Sequence, residues 1–224
     1  MKITSMVAGL LGSFFMQLSS LYPQEMWADF SLGALSKNQV VLSERALIFD
    51  EFNLGDYADG ILSFNILRYF HFLKGDAEEF VGNEVREPFE GRLVLNPGEV
   101  FAYHPEVLDE YQDAVAITPE TDLSLADGYK ALEGLSANGV CYSASLFNWV
   151  ASEAGLEVVA KVNHDFFPVP GVPQEYGTSI YHLAGSSSSR LQNLYIRNSY
   201  EFPVEFRYFA SDRGVVLVVL ASVI

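Results

Sequence analysis

Residues 138–162 read NGVCYSASLFNWVASEAGLEVVAKV, and the reading of this stretch decides the fold class. Ser136-Ala137-Asn138-Gly139 breaks whatever precedes it. Ala144, Phe147, Val150 and Ala151 then share one face at helical spacing, which predicts a helix over Val140–Ala154. Gly155 ends that helix, and Leu156–Val162 alternates like a strand. Downstream, further strands are expected at Thr178–Leu183, Leu194–Arg197, Val204–Tyr208 and Val215–Val219, joined by short turns. A helix followed by a run of strands argues for an α+β fold, with the helix carrying Cys141 packed on a mostly antiparallel sheet.

Upstream, Val40–Phe49 is β-branched and apolar at both ends and reads as a strand. Asp56–Lys74 places Ile61, Phe64, Leu67, Phe70 and Phe72 or Leu73 at helical spacing, with Gly75 closing the helix. Gly75–Gly91 gathers acids around Pro88 and reads as an exposed connection. Arg92–Leu95 is a short strand. Asn96-Pro97-Gly98 is a tight turn, because Pro97 presets φ and Gly98 accepts a positive one. Glu99-Val100-Phe101 and Ala116–Thr118 follow as strands, and Asp122–Leu135 is polar and turn-rich.

The chain has 224 residues, half of them hydrophobic and 14% aromatic, so a disordered chain is excluded. Thirteen Lys and Arg face twenty-nine Asp and Glu, a formal charge of -16. Such a balance excludes a surface built to neutralise nucleic-acid phosphates or to dock on anionic lipid. Cys141 is the one cysteine, and no Cys/His ligand cluster accompanies it. No internal disulfide, metal or cofactor is therefore expected. The apolar run Met6–Leu18 suits either the core of a signal peptide or an amphipathic helix buried in the domain. The first implies export and a membrane encounter through that segment, the second a cytoplasmic protein. Residues 1–22 are set apart on this ground, and 23–224 read as one domain.

Cys141 falls in the first turn of its helix, where free backbone N–H groups and the helix dipole favour a thiolate. Small apolar filler is the competing role. His71 lies inside the first helix and reads as structural, His182 sits mid-strand, and His104 fits either role. His164 ends the strand that follows the cysteine helix. A cysteine at a helix start with a histidine on a following strand is the layout of papain-like and transglutaminase-like thiol enzymes. Cys141 is then the candidate nucleophile and His164 its base; the layout itself names no third member, and Thr178 is the best available hydrogen-bond partner for the imidazole.

An ordered set of motifs from about Ser63 to the carboxyl end resembles the VanW-like family. Leu95-Asn96-Pro97-Gly98-Glu99-Val100-Phe101 is similar to the family's proline-glycine-glutamate turn. Gly139-Val140-Cys141 is similar to its glycine-rich approach to the cysteine, with Leu146 and Trp149 following on the helix. His164, Tyr176-Gly177-Thr178 and Ile196-Arg197-Asn198 occupy the places of its histidine, glycine-threonine and arginine-asparagine elements. Tyr142 stands where the family has glutamine and Ala144 where it often has serine, and an aspartate near the glycine-threonine element is missing. The resemblance implies a cell-envelope protein working on peptidoglycan. One form is a cysteine-dependent amide hydrolase or acyl transferase acting on peptide stems, the other a non-catalytic binding or scaffolding protein. It also implies that Gly139, Tyr142, Tyr176, Arg197 and Asn198 line the substrate site.

Overall fold

The computed structural model describes residues 38–79 and 82–222, so the Met6–Leu18 segment and the boundary expected near residue 23 lie outside the described residues. Two central helices, α1 (Asp56–Lys74) and α2 (Val140–Glu153), organise the rest. In α1 every residue from Ile61 to His71 is buried, and in α2 every residue from Tyr142 to Asn148. A helix buried around its circumference must be enclosed by other elements on all sides.

Two sheets supply that enclosure. The first runs in the order β1 (Gln39–Ile48), β10 (Gly214–Ser222), β9 (Val204–Ser211), β2 (Phe89–Leu95), antiparallel throughout. The second runs β4 (Val115–Ile117), β3 (Val100–Ala102), β8 (Leu194–Arg197), β7 (Glu157–Ala160), and only its β3–β4 pair is parallel. A small hairpin, β5 (Ala131–Leu132) with β6 (Leu135–Ser136), a single helical turn, α3 (Ser187–Leu191), and five 3-10 turns complete the described elements. The architecture is α+β with sheets that are mainly antiparallel.

Helix α2 packs against β1 and β10 of the first sheet and β7 and β8 of the second, so both sheets fix its position. The Ser43 hydroxyl on β1 donates to the Val150 carbonyl at 2.6 Å. Two residues on, Arg45 lays its guanidinium 4.6 Å over the Trp149 ring and pairs with Glu153. Deeper in, Phe70 of α1 lies between Phe147 of α2 and Tyr208 of β9, with ring centroids 5.7 and 4.8 Å away. No helix among the described residues is long and apolar enough to cross a membrane.

The Gly75–Gly91 connection is largely exposed, as read, and is tied to α1 at two points: the Arg68 guanidinium donates to the Ala77 carbonyl at 2.6 Å, and Ala77 and Val85 are buried. Strand β2 begins at Phe89, where the Phe89 ring stacks on His71. One segment differs from the sequence reading. Thr178–Leu183 forms no ladder. The Ser179 N–H donates to the Val162 carbonyl and the Tyr181 N–H to the Gln192 carbonyl, while the Ile180 N–H between them turns to the Cys141 sulfur. Ser179 and Tyr181, whose N–H groups would share one neighbour in a ladder, go to two different segments, and Ile180 goes to a side chain, so no continuous strand pair forms there.

Two buried ionisable groups set opposing pH dependences. Burial, the larger cause, raises the Glu44 carboxyl from 4.5 to about 7 against the pull of Arg45, and its Oε1 has no hydrogen-bond partner. Burial lowers His104 from 6.5 to about 4. The folded state thus holds the Glu44 proton longer than the unfolded chain, so this group's stability contribution falls as pH rises from 4.5 to about 7. The unfolded chain protonates His104 first, so its contribution falls as pH drops from 6.5 to about 4. In Glu44→Gln the opposing slope is removed, leaving that of His104 together with those of Asp76 and Glu106, whose carboxyls are also held below their ordinary value. Urea midpoints for that variant rise by on the order of 2–3 kcal/mol in free energy from acid to neutral pH and then level off, whereas the parent protein shows a flatter profile.

Candidate functional site

The start of α2 is built by contacts from α1. Gly139, its N-cap, has φ 105°, and a Cβ there would sit 2.6 Å from the Leu62 carbonyl oxygen of α1. Asn65, buried on α1, holds the approach. Its amide donates to the carbonyls of Lys130 at 2.9 Å and Asn138 at 2.8 Å, and its oxygen accepts from the Lys130 N–H at 2.8 Å. Just past the end of β3 the Tyr103 hydroxyl donates to the Val140 carbonyl at 3.0 Å and lies 2.6 Å from the Ser143 hydroxyl. The glycine that the resemblance places in a substrate site is thus a point of helix–helix contact.

Cys141 is the second residue of α2. Its thiol donates to the Ile180 carbonyl at 3.6 Å, and its sulfur accepts from the Ile180 N–H at 3.3 Å. The extended segment therefore takes up both the donor and the acceptor capacity of the sulfur. Burial, the dominant influence, pushes the thiol up from 9.0 to about 11, with the Ile180 backbone contact pulling weakly the other way. Here desolvation outweighs the helix dipole: a helix terminus lowers a thiol pKa where solvent reaches it, and burial in apolar surroundings raises it.

His164 makes its contacts elsewhere. Its Nδ1 donates to the Phe167 carbonyl at 2.6 Å, and its ring meets Tyr142 edge-on with centroids 6.2 Å apart. No hydrogen bond links it to Cys141 or to Thr178 among the described residues. Thr178 is fully buried and occupied elsewhere. Its hydroxyl accepts from the Asn148 amide and donates to the Tyr176 carbonyl, both at 3.1 Å, and its N–H donates to the Ser145 hydroxyl at 2.9 Å. It locks the Tyr176-Gly177-Thr178 turn onto the side of α2.

The remaining sequence-derived site residues divide into interior and surface. Tyr142 is buried, edge-on to Phe52 as well as His164, and desolvation raises its hydroxyl to about 12. Asn198 is buried, and its amide donates to the carbonyls of Leu95 and Phe202 at 2.8 Å each. Its carbonyl accepts from the Gly98 N–H, so the proline-glycine-glutamate turn and the arginine-asparagine element meet as a single clamp. Arg197 is exposed and lies 3.8 Å from Glu157 on the neighbouring strand. Tyr176 is half-buried and stacks on Trp149, whose ring also carries the Arg45 guanidinium.

Sequence reasoning missed Phe166, which is 83% exposed with its ring 4.9 Å from that of His164. The doubled Phe of His164-Asp165-Phe166-Phe167 was its available signal. It also missed the pairing of His104 with His182, whose rings lie 4.8 Å apart inside the protein. Among the described residues no three His, Cys, Asp or Glu side chains converge as metal ligands. A search of family models, curated proteins and solved structures finds no match to this chain.

Proposed function

We propose that this chain is a VanW-like module of the cell envelope that binds or scaffolds peptidoglycan without reacting with it. The observation that carries this reading is the Cys141 thiol, held on both sides by Ile180 and pushed up to about 11. A nucleophilic cysteine needs a thiolate near neutral pH and a base in contact with it, so a raised thiol with no hydrogen bond from His164 favours binding over reaction. Binding has better support. Phe166 stands into solvent at 83% exposure, and Tyr181 at 43% follows the segment that grips the thiol. Exposed rings of this kind suit stacking on the apolar faces of sugar rings.

Co-sedimentation with insoluble peptidoglycan tests the reading. Wild-type protein and Cys141→Ser sediment equally. Phe166→Ser, at a site too exposed to perturb folding, weakens retention by about tenfold, as expected for loss of an aromatic anchor. Equal retention of Phe166→Ser and wild type, or loss of retention in Cys141→Ser, contradicts it.

One observation favours a second reading, a thiol amide hydrolase or acyl transferase acting on peptidoglycan peptides in a papain- or transglutaminase-like layout. The bond from His164 Nδ1–H to the Phe167 carbonyl orients the imidazole and makes Nε2 the nitrogen that carries the lone pair of the neutral ring. In that reading Cys141 attacks, His164 takes its proton, and the first N–H groups of α2 hold the oxyanion. The Phe167 carbonyl then does the orienting that the sequence assigned to Thr178. New peptide termini in the sedimentation supernatant, absent with Cys141→Ser, would establish it.

A further inference from the structure

A surface cleft of about 510 Å³ opens beside the first turns of α1, with Tyr57, Gly60, Asn83, Arg86 and Lys130 on its walls. Two cations share it. The Arg86 guanidinium is fixed by two bonds into α1, Nη1 to the Ser63 hydroxyl at 3.2 Å and Nη2 to the Gly60 carbonyl at 2.7 Å. The Lys130 ammonium lies 3.8 Å over the Phe64 ring. A guanidinium has five N–H donors, so Arg86 retains three for a ligand.

Neither cation has a carboxylate within ion-pair distance among the described residues, although Asp56 shares the cleft wall. In a chain whose acids outnumber Lys and Arg by 29 to 13, Arg45, Lys74, Arg190, Arg197 and Arg207 each pair with a carboxylate; Arg92 and Lys161 show none either, but only Arg86 and Lys130 line one cleft together. Burial, and after it the charge of Arg86, depress the Lys130 ammonium below the ordinary lysine value. Like charges held together beside a cavity repel, and an anion between them relieves that repulsion. Tyr57, 76% exposed at the rim, adds a flat apolar wall.

We propose that this cleft is a binding site for a small oxyanion, a carboxylate or phosphate group seated between Arg86 and Lys130 with Tyr57 against the rest of the ligand. The Arg86 fork supplies direction, since guanidinium N–H pairs match the two oxygens of such groups. Lys130 supplies charge. The site does not depend on the reactivity of Cys141 and stands under either reading of the thiol.

Amide chemical-shift titrations of the full chain at constant ionic strength test it, with inorganic phosphate and benzoate as probes and chloride as the control anion. Saturable shifts centred on Gly60, Arg86 and Lys130 are expected with at least one probe. The tighter probe tells a phosphate ligand from a carboxylate. Lys130→Gln weakens that binding about fivefold or more, the scale of one screened charge contact, while Lys161→Gln, on an exposed loop after β7, leaves it unchanged. Arg86→Lys retains the charge and loses the fork, and is expected to weaken binding as well. Shifts that never saturate, or equal effects of Lys130→Gln and Lys161→Gln, overturn the proposal.

Discussion

Gly139→Ala is expected to destabilise the protein by about 3 kcal/mol, from a left-handed backbone penalty of about 1–2 and a steric penalty of similar size. The φ of 105° is one that alanine adopts only with strain. The added methyl would lie 2.6 Å from the Leu62 carbonyl oxygen and 2.9 Å from its Cα, both backbone atoms that cannot swing aside. Gly75→Ala provides the control. Its φ is 85°, also left-handed, but a Cβ there has no neighbour within 4 Å. That variant is expected to lose only the backbone part, about 1 kcal/mol. Urea unfolding of the two, read as a difference, isolates the contact between α1 and the start of α2. Equal losses would mean that the helix junction relaxes freely and does not fix Cys141.

Asn198→Ala is expected to cost about 3–5 kcal/mol, because several buried polar groups lose their partner at once. The side chain satisfies the carbonyls of Leu95 and Phe202 and accepts from the Tyr200 N–H at 3.0 Å. These groups belong to the end of β2 and the link from β8 to β9, so the loss loosens both sheets where they approach each other. Asn198→Asp keeps the shape and the Tyr200 contact, yet turns two donor contacts into oxygen–oxygen repulsion, and is expected to be no better. The result also separates two roles for the residue. A ligand-binding asparagine would lose peptidoglycan retention at unchanged stability, and a clamp loses stability first.

The sequence reading succeeded where a local rule leaves a local mark. Helix α1 runs over Asp56–Lys74 as expected, because its apolar spacing and its closing Gly75 are both legible in the chain. Strand β8 likewise matches at Leu194–Arg197. Thr178–Leu183 has the composition of a strand but lacks a continuous neighbour, and pairing is a tertiary matter that composition does not encode. The site divides in the same way. That Cys141 begins a helix is written in Asn138-Gly139 and the periodicity after it. Its partner is the backbone of Ile180, and a backbone N–H or carbonyl leaves no signature in the sequence. The same holds for the Phe167 carbonyl at His164. Spacing suggested a cysteine–histidine pair, with Thr178 as the available third member, and three-dimensional packing gave each of the three a different partner.

Asn65 and Asn198 show a further limit. A polar residue in an apolar stretch invites a functional reading, yet both amides are spent on closing backbone groups that would otherwise be buried without partners. Tyr142 and Gly139 follow the same logic through packing. Of the five residues that the VanW-like resemblance places in a substrate site, only Tyr176 and Arg197 present side chains at the surface, and Arg197 does so beside Glu157.

In the proposed function Cys141 anchors the Ile180 segment and is not an activated thiol. Its alkylation rate with iodoacetamide, followed from pH 6 to 10.5 on protein shown by circular dichroism to stay folded, tests this directly, since no other cysteine contributes. The predicted result is a rate that climbs through the whole range without a plateau, consistent with a pKa of about 11. At pH 8 it is about a hundredfold below that of the same thiol in the urea-unfolded chain. A rate that levels off with a midpoint near or below pH 7 would contradict it and return Cys141 to the role of nucleophile.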